Sequence, residues 1–281
     1  MRLETHRHDR DAAGLTYVYP VVSRRAGGVS VGINLNVNNA CNWRCVYCQV
    51  PGLVYGKGPE VDLDLLEREL EGMLRQTLDP SWMQRAVPEG SRRLNDVALS
   101  GNGEPTSSPQ FAGAVERSAR VLERLGLAGR VPIVLITNGS LIQHAEVQRG
   151  LERMQRCGGE VWFKLDSATA EGQARIQSNA AGPGRTRRNL ATAARLCPTW
   201  LQTCMFRWNG QEPSPDEQQA YLDFVKEVRT LEPSIRGVLL YGLARPSHQP
   251  EAAQLEALDE AWLRDFAARI ERTGTPVRVT P

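Results

Sequence analysis

No run of eighteen apolar residues occurs in the 281-residue chain, so nothing in it predicts a membrane-spanning helix. The opening residues, MRLETHRHDRDAAG, lack the apolar core of a signal peptide, and a cytoplasmic location is expected. An excess of one charge sign is also missing. Lys and Arg number 34 against 32 Asp and Glu, and the net charge of +2 is too small to demand a nucleic-acid partner. Cysteine is sparse, with six in the chain, and without a secretion signal these do not point to a disulfide framework. No low-complexity linker divides the sequence, and no glycine-rich dinucleotide fingerprint follows any candidate strand. What remains is 41% hydrophobic residues in one long chain, enough to bury a sizeable core.

Half of the cysteines are crowded together. NLNVNNACNWRCVYCQVPG holds Cys41, Cys45 and Cys48 within eight residues. Their surroundings are too polar for small buried hydrophobes. A structural zinc site wants four ligands, usually as two separated pairs, and His144 and His248 stand too far away to complete one. Iron–sulfur clusters ordinarily take four thiolates, so three on a cubane leave one iron open to substrate or cofactor. The CxxxCxxC spacing therefore points to a [4Fe–4S] cluster with one reactive iron, with zinc or another structural role as the alternative.

Cys41-x-x-x-Cys45-x-x-Cys48, with Tyr47 just before the third cysteine, resembles the radical SAM superfamily. The wider phrase GGVSVGINLNVNNACNWRCVYCQ resembles its wyosine-base-synthase-related branch. The resemblance covers about residues 20 to 245. It implies that S-adenosylmethionine (SAM) chelates the open iron and is reductively cleaved to a 5′-deoxyadenosyl radical. It also implies an electron donor such as flavodoxin or ferredoxin. Wyosine synthases carry a second cluster near the N-terminus, whereas no cysteine precedes Cys41 here and Cys157, Cys197 and Cys204 are scattered. That departure argues against wyosine formation itself and against an auxiliary cluster.

Hydrophobic periodicity predicts strands at residues 30–37, 95–101, 131–139, 160–168, 199–208 and 235–245. Helical patterns alternate with them at 62–76, 111–126, up to Met154, 215–231 and 258–274, and a short strand at 276–280 ends the pattern. This order predicts a parallel sheet with right-handed crossovers. Six repeats without a dinucleotide fingerprint favour a partial barrel, and the resemblance implies an α/β fold of the partial (β/α)6 TIM-type class. One domain over residues 29–281 is expected, behind a short N-terminal extension of residues 1–28.

Sites in such barrels lie at the C-terminal ends of strands. The expected cofactor-binding residues are Tyr47, Asn102, Gly103, Glu104, Asn138, Lys164, Asp166, Ser167 and Arg207, with Cys41, Cys45 and Cys48 as metal ligands. Two glycines in GNGEPT permit a close backbone approach, and the stretch resembles the family's GGEP motif, whose backbone contacts the SAM amino group. The resemblance implies Tyr47 beside the adenine. Lys164 and Asp166 share a strand face, so they either contact SAM or pair with one another. Arg207 and Arg245 end strands and could hold a carboxylate. Residues 172–211 hold six arginines and no Asp or Glu, and the loop AGPGRTRRN could meet an anionic substrate. The substrate is expected to be a tRNA nucleoside, or else a small metabolite or peptide. A non-catalytic iron–sulfur or zinc sensor, or an RNA-binding protein, is the alternative of another class.

Overall fold

The computed structural model describes residues 2–4, 13–24, 27–232 and 234–281. Its strands are β1 Val18–Ser23, β2 Gly28–Ile33, β3 Ala40–Cys41, β4 Val54–Tyr55, β5 Leu94–Leu99, β6 Ile133–Thr137, β7 Glu160–Lys164, β8 Thr199–Trp208, β9 Ile235–Gly242, β10 Leu255–Ala257 and β11 Val277–Thr280. Its helices are α1 Leu63–Leu78, α2 Pro80–Ala86, α3 Phe111–Arg124, α4 Ala145–Arg156, α5 Ala170–Gln177, α6 Gly182–Leu196, α7 Pro215–Leu231 and α8 Glu260–Glu271. Six strands (β2, β5, β6, β7, β8 and β9) are each followed by helix, the α/β order of a partial (β/α)6 barrel. No helix among the described residues is long and apolar enough to cross a membrane.

The chain forms two compact units. The first comprises the residues up to Asn42, 56–136 and 144–160. In it β2 runs parallel to β5 and β5 parallel to β6, while β1 is antiparallel to β2. All six residues of β2 are buried, as expected for a parallel strand covered on both faces. Helix α1 starts where the Asp62 carboxylate caps the N–H groups of Asp64 and Leu65, worth about 1 kcal/mol. Leu66, Leu70, Met73 and Leu74 then line its buried face at helical spacing. On its outer face Glu67 and Glu71 pair with Arg117 and Arg124 of α3. The extension expected over residues 1–28 lies partly outside the described residues. Its described part includes β1, and Glu69 of α1 accepts the backbone N–H groups of Thr16, Tyr17 and Val18.

The second unit comprises residues 43–55, 137–143 and 161–281. Strands β7, β8, β9 and β11 are parallel neighbours, and β10 adds antiparallel to the end of β8. Side chains in register fall on alternate faces: Phe163, Leu201 and Val238 on one, Lys164, Gln202 and Leu239 on the other. The first face meets helices, because the Thr203 hydroxyl bonds Tyr221 of α7 at 2.6 Å.

Several elements differ from the sequence expectation. The first strand stops at Ile33, not Val37, because the Asn34 side chain accepts the Asn36 N–H and turns the chain. The fourth stops at Lys164, not Ala168, since Asp166 and Ser167 bond backbone N–H groups of Cys204 and Thr169. AGPGRTRRN is not a loop. It falls largely in the first turns of α6, where Pro183 sits in the first turn and costs no hydrogen bond. Strand β1 and helices α2 and α5 lack a periodic signal long enough to stand out.

Candidate functional site

In the first unit, a short asparagine-rich turn leads from β2 to the first cysteine. The Asn34 Oδ1 accepts the N–H groups of Asn36 (3.0 Å) and Asn102 (3.1 Å), tying this turn to the one after β5. Asn102 Nδ2 donates to Asn39 Oδ1 at 2.6 Å, and Asn39 takes a φ of 54°, which asparagine tolerates well. Asn36 Nδ2 donates to the Ala40 carbonyl (2.9 Å) and to Ser107 Oγ (3.2 Å). Its Oδ1 is buried without a hydrogen-bond partner among the described residues. Because the two donated bonds fix the amide's orientation, this oxygen is an acceptor waiting for a donor.

The glycines of GNGEP serve this packing. A Cβ on Gly103 would stand 2.0 Å from the Ala40 carbonyl oxygen, and one on Gly101, at φ 148°, would stand 2.4 Å from Asn34 Oδ1. Their small size thus lets two protein backbones meet, in addition to any approach to a ligand. Glu104, 2% exposed, spends Oε1 on the Thr106 N–H (3.1 Å) and hydroxyl (2.6 Å), capping the turn that follows.

The cysteine loop proper carries three half-buried thiols, none in a disulfide. Among the described residues no three His, Cys, Asp or Glu side chains converge as they would on a single metal ion. The donor set has another character: soft thiols only, with no disulfide, and a cubane takes each thiolate on a separate iron. In the second unit the loop's backbone is clamped. Ser247 Oγ donates to the carbonyl of Val46 at 2.7 Å, and the His248 N–H donates to that of Cys48 at 2.9 Å. Gln249 Nε2 reaches the Val50 carbonyl at 3.4 Å. Arg44 is held by both oxygens of Glu251 (2.7 and 2.8 Å), which lowers the carboxyl below its ordinary range. Val46 packs on Cys204 and Phe206, with Tyr47, Ile176 and Tyr241 around them.

A polar wall stands beside this loop in the same unit. Asp166, 3% exposed, accepts the Tyr47 hydroxyl, the Cys204 N–H (2.8 Å) and Gln177 Nε2 (2.9 Å). Tyr47 also leans on the Phe206 ring, with centroids 5.8 Å apart. Burial, aided by the Asp166 charge, pushes the Tyr47 phenol well above its usual pKa, so it remains a donor. Lys164 lies 4.9 Å from the Tyr47 ring centroid and 3.4 Å from the Tyr241 hydroxyl. Burial alone would lower the Lys164 ammonium, but the acidic groups of Tyr241 and Asp166 outweigh it and hold the pKa above its usual value. Lys164 and Asp166 therefore share a face, yet each has a different hydrogen-bond partner.

Other expected residues are engaged elsewhere. Ser167 donates to Glu217 of α7 at 2.8 Å, which braces α5. Asn138 Oδ1 accepts the Ser140 N–H at 2.9 Å and shapes the turn after β6. Arg207 sits between Asp259 (2.8 Å) and Glu212 (3.1 Å), so its charge is already matched. Arg245 Nε donates to Gln49 in the cysteine loop at 2.8 Å. A cleft lies beside Asp166 and is lined by Ser167, Phe206, Trp208 and Glu217 as well. The residues missed from sequence are Asn34, Asn36, Gln177, Gln202 and the Ser247–Gln249 clamp. Only the first two had a signal, the five asparagines between residues 34 and 42.

Comparison with known proteins adds an independent line. The chain is 30% identical over 153 residues to UPF0026 protein MJ1312 of Methanocaldococcus jannaschii, covering 53% of this chain and 39% of that protein. It is 23% identical over 132 residues to GTPase Obg of Brachyspira hyodysenteriae, covering 47% of this chain and 17% of that one. The chain thus spans less than half the length of either curated relative. Among solved structures, a radical SAM methyltransferase from Sphaerobacter thermophilus matches with TM-score 0.60 at 14% identity, over 90% of this chain and 66% of that one. TYW1 with a lysine-pyruvate adduct matches with TM-score 0.52 at 13% identity, over 89% and 74%. These likenesses are of fold, and they agree with the partial-barrel class. The model of the Radical SAM superfamily matches residues 35–214, which contain the cysteine loop, GNGEP and the polar wall, and the chain belongs to that superfamily of enzymes.

Proposed function

We propose that the chain binds a [4Fe–4S] cluster through Cys41, Cys45 and Cys48, takes SAM at the open iron, and uses it to start a radical reaction on a separate substrate. The observation that carries this reading is three half-buried thiols within eight residues, none in a disulfide, with the carbonyls of Val46 and Cys48 held by Ser247 and His248. When bound, the reduced cluster supplies the electron that cleaves SAM to methionine and a 5′-deoxyadenosyl radical. The chain's own residues bind and orient. Asn36 Oδ1 is the free acceptor for the SAM ammonium, next to Asn102, Gly103 and Glu104. Tyr47, fixed by Asp166 and Phe206, offers a ring beside the adenine, and Lys164 a cation for an anionic group. Asn138, Ser167 and Arg207 act at one remove in this reading, by holding turns and helices. A one-electron donor such as flavodoxin or ferredoxin and a reducing cytoplasm complete the scheme.

The substrate in this reading is a tRNA nucleoside. Arg185 and Arg188 are exposed on α6, whose first turn has no acidic residue, and neither has a carboxylate partner among the described residues. Arg187 is different, being paired with Glu227 at 2.8 Å. A small anionic metabolite or peptide is the second reading, favoured by the half-buried Lys164. The test is anaerobic reconstitution followed by deoxyadenosine release with reductant, with and without tRNA, across a salt series. Release that tRNA accelerates, less so at high salt, is expected. Stoichiometric zinc, or iron without any SAM cleavage, would leave a non-catalytic sensor instead.

A further inference from the structure

Gln202 lies in the middle of β8 and is 1% exposed. Among the described residues neither its Oε1 nor its Nε2 has a hydrogen-bond partner. Buried polar groups in native proteins are almost always satisfied, so an amide bare at both ends calls for an occupant. Its direction follows from strand alternation. Thr203 faces α7 through Tyr221, so Gln202, Cys204 and Phe206 face the other way. On that side Cys204 and Phe206 pack against Val46 of the cysteine loop. Gln202 is in register with Lys164 on β7 and Leu239 on β9. It therefore lies one layer deeper than the level of Asp166, Cys204 and Tyr241, about 7 Å further along the strand.

A trapped water is a poor answer. A buried water needs two to four polar partners. Among the registered neighbours Leu239 offers none, and the Lys164 ammonium is turned to Tyr241. The layer beneath holds Trp162 and Trp200. A carboxamide presents one acceptor and one donor side by side, which suits a planar ligand edge presenting the complement. We propose that Gln202 is the substrate-reading residue, and that the substrate carries a lactam or carboxamide edge that pairs with it. This rests on the radical SAM reading of the site and adds the class of group that is recognised.

The experiment uses the full-length, anaerobically reconstituted protein and equilibrium binding of small probes. Uridine against 3-methyluridine tests a base-borne edge, and nicotinamide against N,N-dimethylnicotinamide tests a free carboxamide. One unblocked probe should bind, its methylated analogue should not, and Gln202→Leu should weaken binding at least tenfold. Gln202→Glu, which keeps the size and loses the donor, should weaken it as well and covers the case in which the leucine variant fails to fold. In the absence of probe, Gln202→Leu should melt about 2–4 °C higher, because a bare buried amide has been removed. Equal binding by wild type and variants, or no binding of any probe, overturns the proposal. So does a parallel fall in SAM affinity, which would assign Gln202 to the cofactor. Iron loading and SAM binding of the wild type, measured in the same samples, report separately on the radical SAM reading.

Discussion

The asparagine turn of the first unit and the Asp166 wall of the second fix their polar groups by different means. The turn uses neutral amides: Asn34 accepts from Asn36 nearby and from Asn102 across 68 residues, Asn36 donates to Ala40, and Asn102 donates to the Asn39 side chain across 63. The wall uses a buried carboxylate that gathers partners from three separate segments, Tyr47, Gln177 and Cys204. These amides carry no net charge, and the glycines of GNGEP pack tightly against them. A buried carboxylate holds distant elements together, and every donor on it is left costly if it goes. The turn should therefore fail by steric crowding, the wall by lost satisfaction.

The largest effect is expected in the cysteine loop. Changing Cys41, Cys45 and Cys48 together to Ala should take iron from about four per chain to background, since no other soft donors are clustered. Iron and sulfide analysis after anaerobic reconstitution reads this, and full loading of the triple variant would refute the ligand set. Next, Asp166→Leu should lose about 3 kcal/mol in urea unfolding, because three buried donors lose their acceptor. Asp166→Asn, which keeps one acceptor oxygen, should lose about half of that.

Gly103→Ala should cost about 1–3 kcal/mol, because its Cβ would stand 2.0 Å from the Ala40 carbonyl. Iron loading should fall with it, since Ala40 leads directly into Cys41. Gly72, with nothing within 4 Å of a Cβ and a place inside α1, is the contrast: Gly72→Ala should gain about 0.5–1 kcal/mol. If Gly103→Ala weakens SAM binding alone and leaves both stability and iron unchanged, the close backbone approach is to the cofactor instead.

Acid should act on the first unit through its outer helices. Hydrogen bonds from Arg117, and then Arg124, hold the Glu67 carboxyl below its ordinary range. A depressed carboxyl contributes stability above its unfolded pKa and loses it as pH falls through the folded value. Wild type should therefore lose about 1 kcal/mol relative to Glu67→Gln as pH drops below about 4.3. A parallel pH profile for the two would remove that pair from the account. The smallest effect belongs to α6. Arg188→Ala should stay within about 0.5 kcal/mol of wild type, whereas Arg187→Ala, which breaks the pair with Glu227 and the contact over Phe224, should cost about 1 kcal/mol.

Much of this molecule was legible in its residues alone. The alternation of helix and strand, the bounds of β8, and the cysteine spacing are local patterns, set by side-chain period and by soft donors a few residues apart. Strand ends were overestimated wherever a polar side chain took the backbone's hydrogen bonds, as Asn34 and Asp166 do. Which charges are spent and which stand free was decided only in three dimensions. Arg207 meets Asp259 across 52 residues, and Arg44 meets Glu251 across 207. The bare amide of Gln202 could not be read from the chain either, because a partner's absence is a property of everything packed around a side chain. Periodicity reports which face a residue takes, and only the folded neighbours determine what it finds there.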